Sequence, residues 1–101
     1  MDIVYSKNNV PIRLNEERWV HIVENHDDVA GYYDEILNTL EEPDYIIKGY
    51  KEALIALKSF EGKLFLSVVY KEASENDGFV ITAYFTSKIK LDKEEILWQK
   101  K

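Results

Sequence analysis

Apolar residues in the first half of the chain recur at helical spacing, in two separate segments. The stripe of the first segment, at positions i, i+3, i+4 and i+7, consists of Trp19, Ile22, Val23 and His26. Asn15 suits an N-cap, because its side chain can accept a hydrogen bond from a free amide of the first turn. The pattern predicts a first helix that follows Asn15 and ends at about Asn25.

The second segment carries the clearer helical pattern. Its apolar positions are Val29, Tyr32, Tyr33, Ile36, Leu37 and Leu40, and its polar face holds Asp34, Glu35, Asn38 and Glu41. Proline lacks the amide hydrogen that a helix interior needs, so Pro43 ends this helix.

From Tyr45 onward the pattern changes to short apolar runs, which indicate strands. The four runs, separated by turn material around Gly49, Gly62 and Gly78, are Tyr45–Lys48, Ala53–Lys58, Leu64–Lys71 and Phe79–Ser87. Antiparallel pairing in sequence order is the simplest arrangement. The predicted fold is therefore α+β, with two N-terminal helices packed on a four-stranded antiparallel sheet.

Strand alternation predicts which side chains share a face of this sheet. In the last strand one face holds Phe79, Ile81, Ala83 and Phe85, and the other holds Val80, Thr82, Tyr84 and Thr86. In the preceding strand, Ser67 and Lys71 alternate with the apolar residues. One sheet face can therefore carry a row of hydroxyl groups and a lysine.

The two ends of the chain have shorter patterns. Ile3–Tyr5 and Val10–Leu14 flank a Ser-Lys-Asn-Asn turn, which is consistent with a hairpin or an extended arm, and Pro11 indicates a sheet edge. In Leu91–Lys101, an Asp-x-x-Glu capping-box spacing precedes Ile-Leu-Trp. We therefore predict a short C-terminal helix.

Composition describes an ordinary globular chain. Its 101 residues, 46% apolar and 32% charged, suffice for one core, so we expect a single domain. The absence of cysteine excludes disulfides, thiolate metal sites and a cysteine nucleophile. With no targeting pattern and no long apolar stretch, the cytoplasm is the expected location.

The net charge of the chain limits the classes of partner that it can bind. A net charge of −6 repels nucleic acids and anionic membranes, so we expect no membrane partner. Only two arginines, Arg13 and Arg18, are present beside eleven lysines, which leaves few groups for bidentate phosphate contacts. A nucleic-acid role therefore requires a local basic cleft.

The order of motifs between Arg18 and Lys88 resembles the phage-type branch of the barnase, EndoU, colicin and RelE-like nuclease superfamily. The motifs are His-Ile-x-x-x-His, Ile-Leu-x-x-Leu-x-x-Pro-Asp and Val-Ile-Thr-Ala-Tyr, which begin at His21, Ile36 and Val80. The resemblance implies two helices on a four-stranded antiparallel sheet, with a nuclease-like core at about residues 15–88.

The resemblance also implies an RNase-type site. By position, His26 is the general base or acid, Lys58 the cation, and Thr82 and Tyr84 the hydroxyl groups, while His21 matches the first histidine of the pattern. The implied reaction is cleavage of RNA without a metal or cofactor, in a toxin-like protein. A base takes the proton of a ribose 2′-hydroxyl, and a cation stabilises the charge on the phosphate.

Two other functions are compatible with the same residues. A histidine at the end of a helix is also favoured by the helix dipole, without any catalytic role. In addition, Asp27 and Asp28 follow His26 at positions where the family pattern has a proline and one acidic residue. The alternative is thus a non-catalytic protein-interaction domain that kept the nuclease-like fold, with a protein partner or inhibitor instead of RNA. A third is a small-molecule acid–base enzyme that uses His21 and His26.

Overall fold

The computed structural model describes residues 1–101 and confirms an α+β fold with two helices. The helices are α1, Glu16–Asn25, and α2, Tyr33–Glu41. The strands are β1 (Asp2–Tyr5), β2 (Pro11–Leu14), β3 (Tyr45–Lys48), β4 (Leu54–Ser59), β5 (Phe65–Ser74), β6 (Asp77–Thr86) and β7 (Ile96–Gln99). Single 3₁₀ turns lie at Asp27–Val29 and Leu91–Lys93.

All seven strands form one sheet in the order β1-β2-β6-β5-β4-β3-β7. The four predicted strands are its centre, β3 to β6, and they are antiparallel in sequence order as expected. The prediction of a four-stranded sheet is nevertheless wrong, because both ends of the chain add strands. β1 and β2 form a hairpin that joins β6 through a parallel β2–β6 pair, and β7 pairs with β3.

The predicted C-terminal helix is also wrong. The capping-box segment forms only the 3₁₀ turn, and the apolar residues after it form β7. Backbone hydrogen bonds to the edge of β3 flank both ends of β7. Before β7, Lys48 N donates to Glu95 O at 2.9 Å, and after it Lys100 N donates to Asp44 O at 2.9 Å. Pairing at this edge satisfies backbone groups that an isolated short helix would leave free.

Pro11 does not lie on an edge strand, because β2 is paired on both sides. The proline is the first residue of β2, and the parallel pairing with β6 begins at the next residue, Ile12. A proline at the first position of a strand breaks no ladder bond, so it is compatible with an interior strand.

The helices cover one face of the sheet. Asn15 caps α1 as predicted, since its Oδ1 accepts a hydrogen bond from Arg18 N at 2.8 Å. The second helix begins later than predicted, at Tyr33, because Val29 belongs to the 3₁₀ turn. The main core lies between helices and sheet and includes Ile22, Ile36, Leu40, Leu66, Val68, Tyr70, Val80 and Ala83. No helix is both long enough and apolar enough to span a bilayer.

A β-bulge at Ile81 changes the predicted faces of β6. Tyr70 pairs with Val80 and Val69 pairs with Thr82, so Ile81 is an extra residue. Val80 therefore joins the core face instead of the opposite one, and the alternation predicted across this point is wrong. Beyond the bulge the prediction is confirmed: Thr82, Tyr84 and Thr86 share a face with Ser67 and Lys71.

The face with Tyr84 is covered by chain rather than by helix. On this face Ile47, Leu57 and Ser67 are buried. The connection of residues 87–95 leaves β6 and reaches β7 beyond β3, so it passes across the sheet. Glu94 belongs to this connection, and its negative charge contributes to the raised pKa of Tyr84 on this face.

Candidate functional site

The C-terminal half of β6 has a free edge at which the end of α1 is attached. The β2–β6 pairing includes only Gly78 and Phe79 of β6, so the later residues have no strand on that side. Phe85 N donates instead to Asp28 Oδ2 at 3.1 Å. A side chain of the 3₁₀ turn therefore replaces a strand partner and holds the end of α1 beside the end of β6.

His26 lies at this junction. It is the C-cap of α1, where its backbone N donates to Ile22 O at 2.7 Å. The half-buried imidazole packs against the ring of Tyr84, with 5.4 Å between ring centroids and an interplanar angle of 36°. The structure therefore brings together a histidine and a tyrosine that sequence reasoning assigned to one site.

A cleft of about 380 Å³ opens beside this pair. Its lining residues are His26, Asp28, Leu64, Tyr84, Phe85, Thr86, Ser87 and Lys88. Lys88 forms no salt bridge with a carboxylate, so its ammonium group is free. We call this the histidine cleft. It combines an imidazole, a free ammonium group and several hydroxyl groups with one carboxylate.

The Tyr84 hydroxyl is kept neutral. Burial raises the pKa of Tyr84, and the charge of Glu94 raises it further. Both causes disfavour the phenolate. At neutral pH the side chain is therefore a hydrogen-bond donor at the wall of the cleft.

Three of the five predicted site residues lie elsewhere. Lys58 Nζ donates to the Glu42 carbonyl oxygen at 2.7 Å and lines a separate cleft. Thr82 shares a sheet face with Tyr84 but does not line the histidine cleft. His21 is exposed on the polar side of α1, with its Nδ1 3.8 Å from Glu24 Oε1.

Sequence reasoning did not assign Lys88 or Asp28 to the site. Lys88 directly follows the last strand, and Asp28 is two residues from His26, so proximity to the proposed motifs is the signal that could have identified them. Which lysine lines a cleft together with His26 depends on how the end of α1 joins β6, and no local pattern contains that information. Nowhere in the protein do three or more His, Asp or Glu side chains form a group suited to a metal ion.

Comparison with known proteins gives one match. A family model described as phage-Barnase-EndoU-ColicinE5/D-RelE like nuclease2 matches residues 2–100. No curated protein and no solved structure matches the chain. The match includes β1, β2 and β7 as well as the central strands, so these outer strands lie within the matched region.

Proposed function

The chain belongs to the phage-Barnase-EndoU-ColicinE5/D-RelE like nuclease2 family, and from this membership we propose that it is a metal-independent ribonuclease that uses the histidine cleft. The observation that carries the proposal is that His26, Tyr84 and Lys88 line one cleft. These groups are a base, a neutral donor and a cation, which cleavage at a ribose 2′-hydroxyl requires.

Each residue has a role in the proposed reaction. His26 takes the proton of the 2′-hydroxyl, and the 2′-oxygen attacks the adjacent phosphorus. The bond from phosphorus to the 5′-oxygen breaks, and that oxygen takes a proton from solvent. The products are a 2′,3′-cyclic phosphate and a 5′-hydroxyl, and His26 returns its proton to solvent.

Two further groups stabilise the transition state. The Lys88 ammonium offsets the negative charge that grows on the phosphate oxygens, and the neutral Tyr84 hydroxyl donates a hydrogen bond to one of them. Lys58 as the cation remains a prediction from the family resemblance, and its contact with the Glu42 carbonyl oxygen lies in the other cleft. Substitution of Lys58 and substitution of Lys88 therefore test two different locations for the cation.

The test is RNA cleavage by the purified protein in EDTA, with mixed cellular RNA and tRNA as substrates. We expect His26→Ala to reduce the rate by about 10²- to 10⁴-fold, the usual contribution of a general base. Lys88→Ala should reduce it by about 100-fold. Lys58→Ala tests the other cation, and Lys48→Ala, an exposed lysine at the end of β3, is the matched control.

The chemical identity of the product and the rates of the variants test the proposed mechanism. A 2′,3′-cyclic phosphate product, lost with His26→Ala, supports the mechanism. A large loss with Lys58→Ala and none with Lys88→Ala would move the reaction out of the histidine cleft. No cleavage by folded native protein would refute the ribonuclease proposal. A toxin-like role further requires that expression of the native chain, and not of His26→Ala, arrests cell growth.

A second candidate function is binding of a protein partner without catalysis. The two outermost strands carry exposed apolar side chains, Ile3 and Tyr5 on β1 and Ile96 and Leu97 on β7. Unpaired strand edges of this kind can add a strand from another chain, and the net charge of −6 disfavours nucleic acid. Capture of a defined partner that is lost with Tyr5→Lys, in a protein without RNase activity, would favour this function.

A further inference from the structure

Three aromatic side chains pack edge to face next to the histidine cleft. The ring centroids of Tyr32 and Phe85 are 4.9 Å apart, those of Phe60 and Phe85 are 5.0 Å apart, and those of Tyr32 and Phe60 are 6.0 Å apart. Phe85 lines the histidine cleft, and Phe60 lines the cleft that contains Lys58. The two clefts are therefore neighbours, connected through these rings.

The second cleft has a different chemistry from the first. Its volume is about 250 Å³, and it is lined by Glu35, Asn38, Thr39, Lys58, Ser59, Phe60 and Glu61. Phe60 is 37% exposed and offers part of its ring to solvent. The carboxylates of Glu35 and Glu61 are in no ion pair, whereas the ammonium of Lys58 is engaged by a backbone carbonyl.

These groups disfavour a phosphate and suit a nucleobase. Two free carboxylates repel an anion, and the one cation that lines the cleft already donates to the Glu42 carbonyl oxygen. An exposed aromatic ring is a surface on which any base can stack. Carboxylate and amide oxygens accept hydrogen bonds from the amino edges of bases.

We infer that the cleft beside Phe60 is a base-binding subsite for single-stranded RNA, and that it selects bases with an exocyclic amino group. The inference rests on the proposed ribonuclease function, since it assigns the phosphate next to the bound base to the histidine cleft. Adenine, cytosine and guanine have such an amino group, and uracil lacks it. Stacking on Phe60 supplies affinity for any base, and Glu35 and Glu61 supply the discrimination.

The experiment is a titration of the ¹⁵N-labelled native protein with the four nucleoside 3′-monophosphates, followed by amide chemical shifts. We expect AMP, CMP and GMP to shift the amides of Asn38, Ser59 and Phe60, and UMP to bind about tenfold more weakly. Because base stacking on an aromatic ring contributes about tenfold or more to affinity, Phe60→Ala should weaken binding by about that factor. Phe60→Tyr keeps the ring and should bind as the native protein does.

Two further variants test which side chains produce the affinity and which produce the base preference. The double variant Glu35→Gln, Glu61→Gln keeps the shape of the cleft and should remove most of the preference for amino-bearing bases. Tyr50→Ala is the matched control, because Tyr50 is an 83% exposed aromatic residue in the β3–β4 turn that lines neither cleft. It should leave both affinity and preference unchanged.

The outcomes distinguish this inference from the proposed function. If RNA is cleaved with dependence on His26, but Phe60→Ala binds all four nucleotides as the native protein does, the base subsite is refuted and the ribonuclease proposal stands. Equal binding of UMP and the other nucleotides refutes the selectivity. Base-dependent shifts around Phe60 in a protein that does not cleave RNA would support the subsite and refute catalysis.

Discussion

Gly78 lies in β6 between β2 and β5, where the packing leaves no room for a side chain. A Cβ atom at this position would lie 2.5 Å from Ile12 Cδ1, 2.7 Å from the Lys71 carbonyl oxygen and 3.3 Å from the Pro11 carbonyl oxygen. Real Cβ atoms essentially never approach closer than 3.0 Å. The isoleucine can adopt another rotamer, but the Lys71 oxygen belongs to the backbone of β5. Gly78→Ala therefore forces β5 and β6 apart.

The expected cost is at the upper end of the range for overpacked sites, about 3 kcal/mol of unfolding free energy. With an unfolding entropy of about 2.1 cal/mol/K per residue, this corresponds to a decrease in Tm of about 14 °C for a chain of this length. Thermal unfolding followed by circular dichroism measures it. The matched control is Gly31→Ala, since nothing lies within 4 Å of a Cβ at residue 31. A Tm for Gly78→Ala within about 2 °C of the control would refute this reasoning.

Three other substitutions test individual contacts. Tyr70→Phe should raise the free energy of unfolding in urea by about 1 kcal/mol, because it removes a buried hydroxyl without a partner; a decrease would contradict this. Burial and the hydrogen bond to Asp2 raise the pKa of Tyr33 to about 12, above the value of about 10 in unfolded chains. Its stabilising contribution is therefore complete below pH 10 and is lost as the pH rises to 12, so Tyr33→Phe should lose less stability over that range than the native protein does. Asp28→Ala should accelerate hydrogen exchange of the Phe85 amide about fivefold, since that amide loses its acceptor; unchanged protection would argue against this edge contact.

Local patterns were sufficient for the elements whose partners are close in sequence. Asn15 caps α1 through the amide three residues on, and β3 to β6 pair with their sequence neighbours across short turns. Within β6, however, one bulged residue, Ile81, was enough to change the face of Val80. Alternation cannot reveal a bulge, because the extra residue is defined by the partner strand.

The α+β class, both helices, the four central strands and the family could be predicted from local patterns of residues. The same patterns assigned His26 and Tyr84 to one site, which stays a prediction, and the structure brings their rings within 5.4 Å of each other. Three features depend on contacts between distant segments: β2 pairs in parallel with β6, the C-terminal segment is strand β7 on the edge of β3, and Lys88 rather than Lys58 lines the cleft that contains His26. Local patterns predict helices and hairpins because these elements satisfy their backbone groups within a short stretch of chain. Edge pairing and the meeting of two clefts at the Phe60 and Phe85 rings depend on which distant segments the folded core brings into contact.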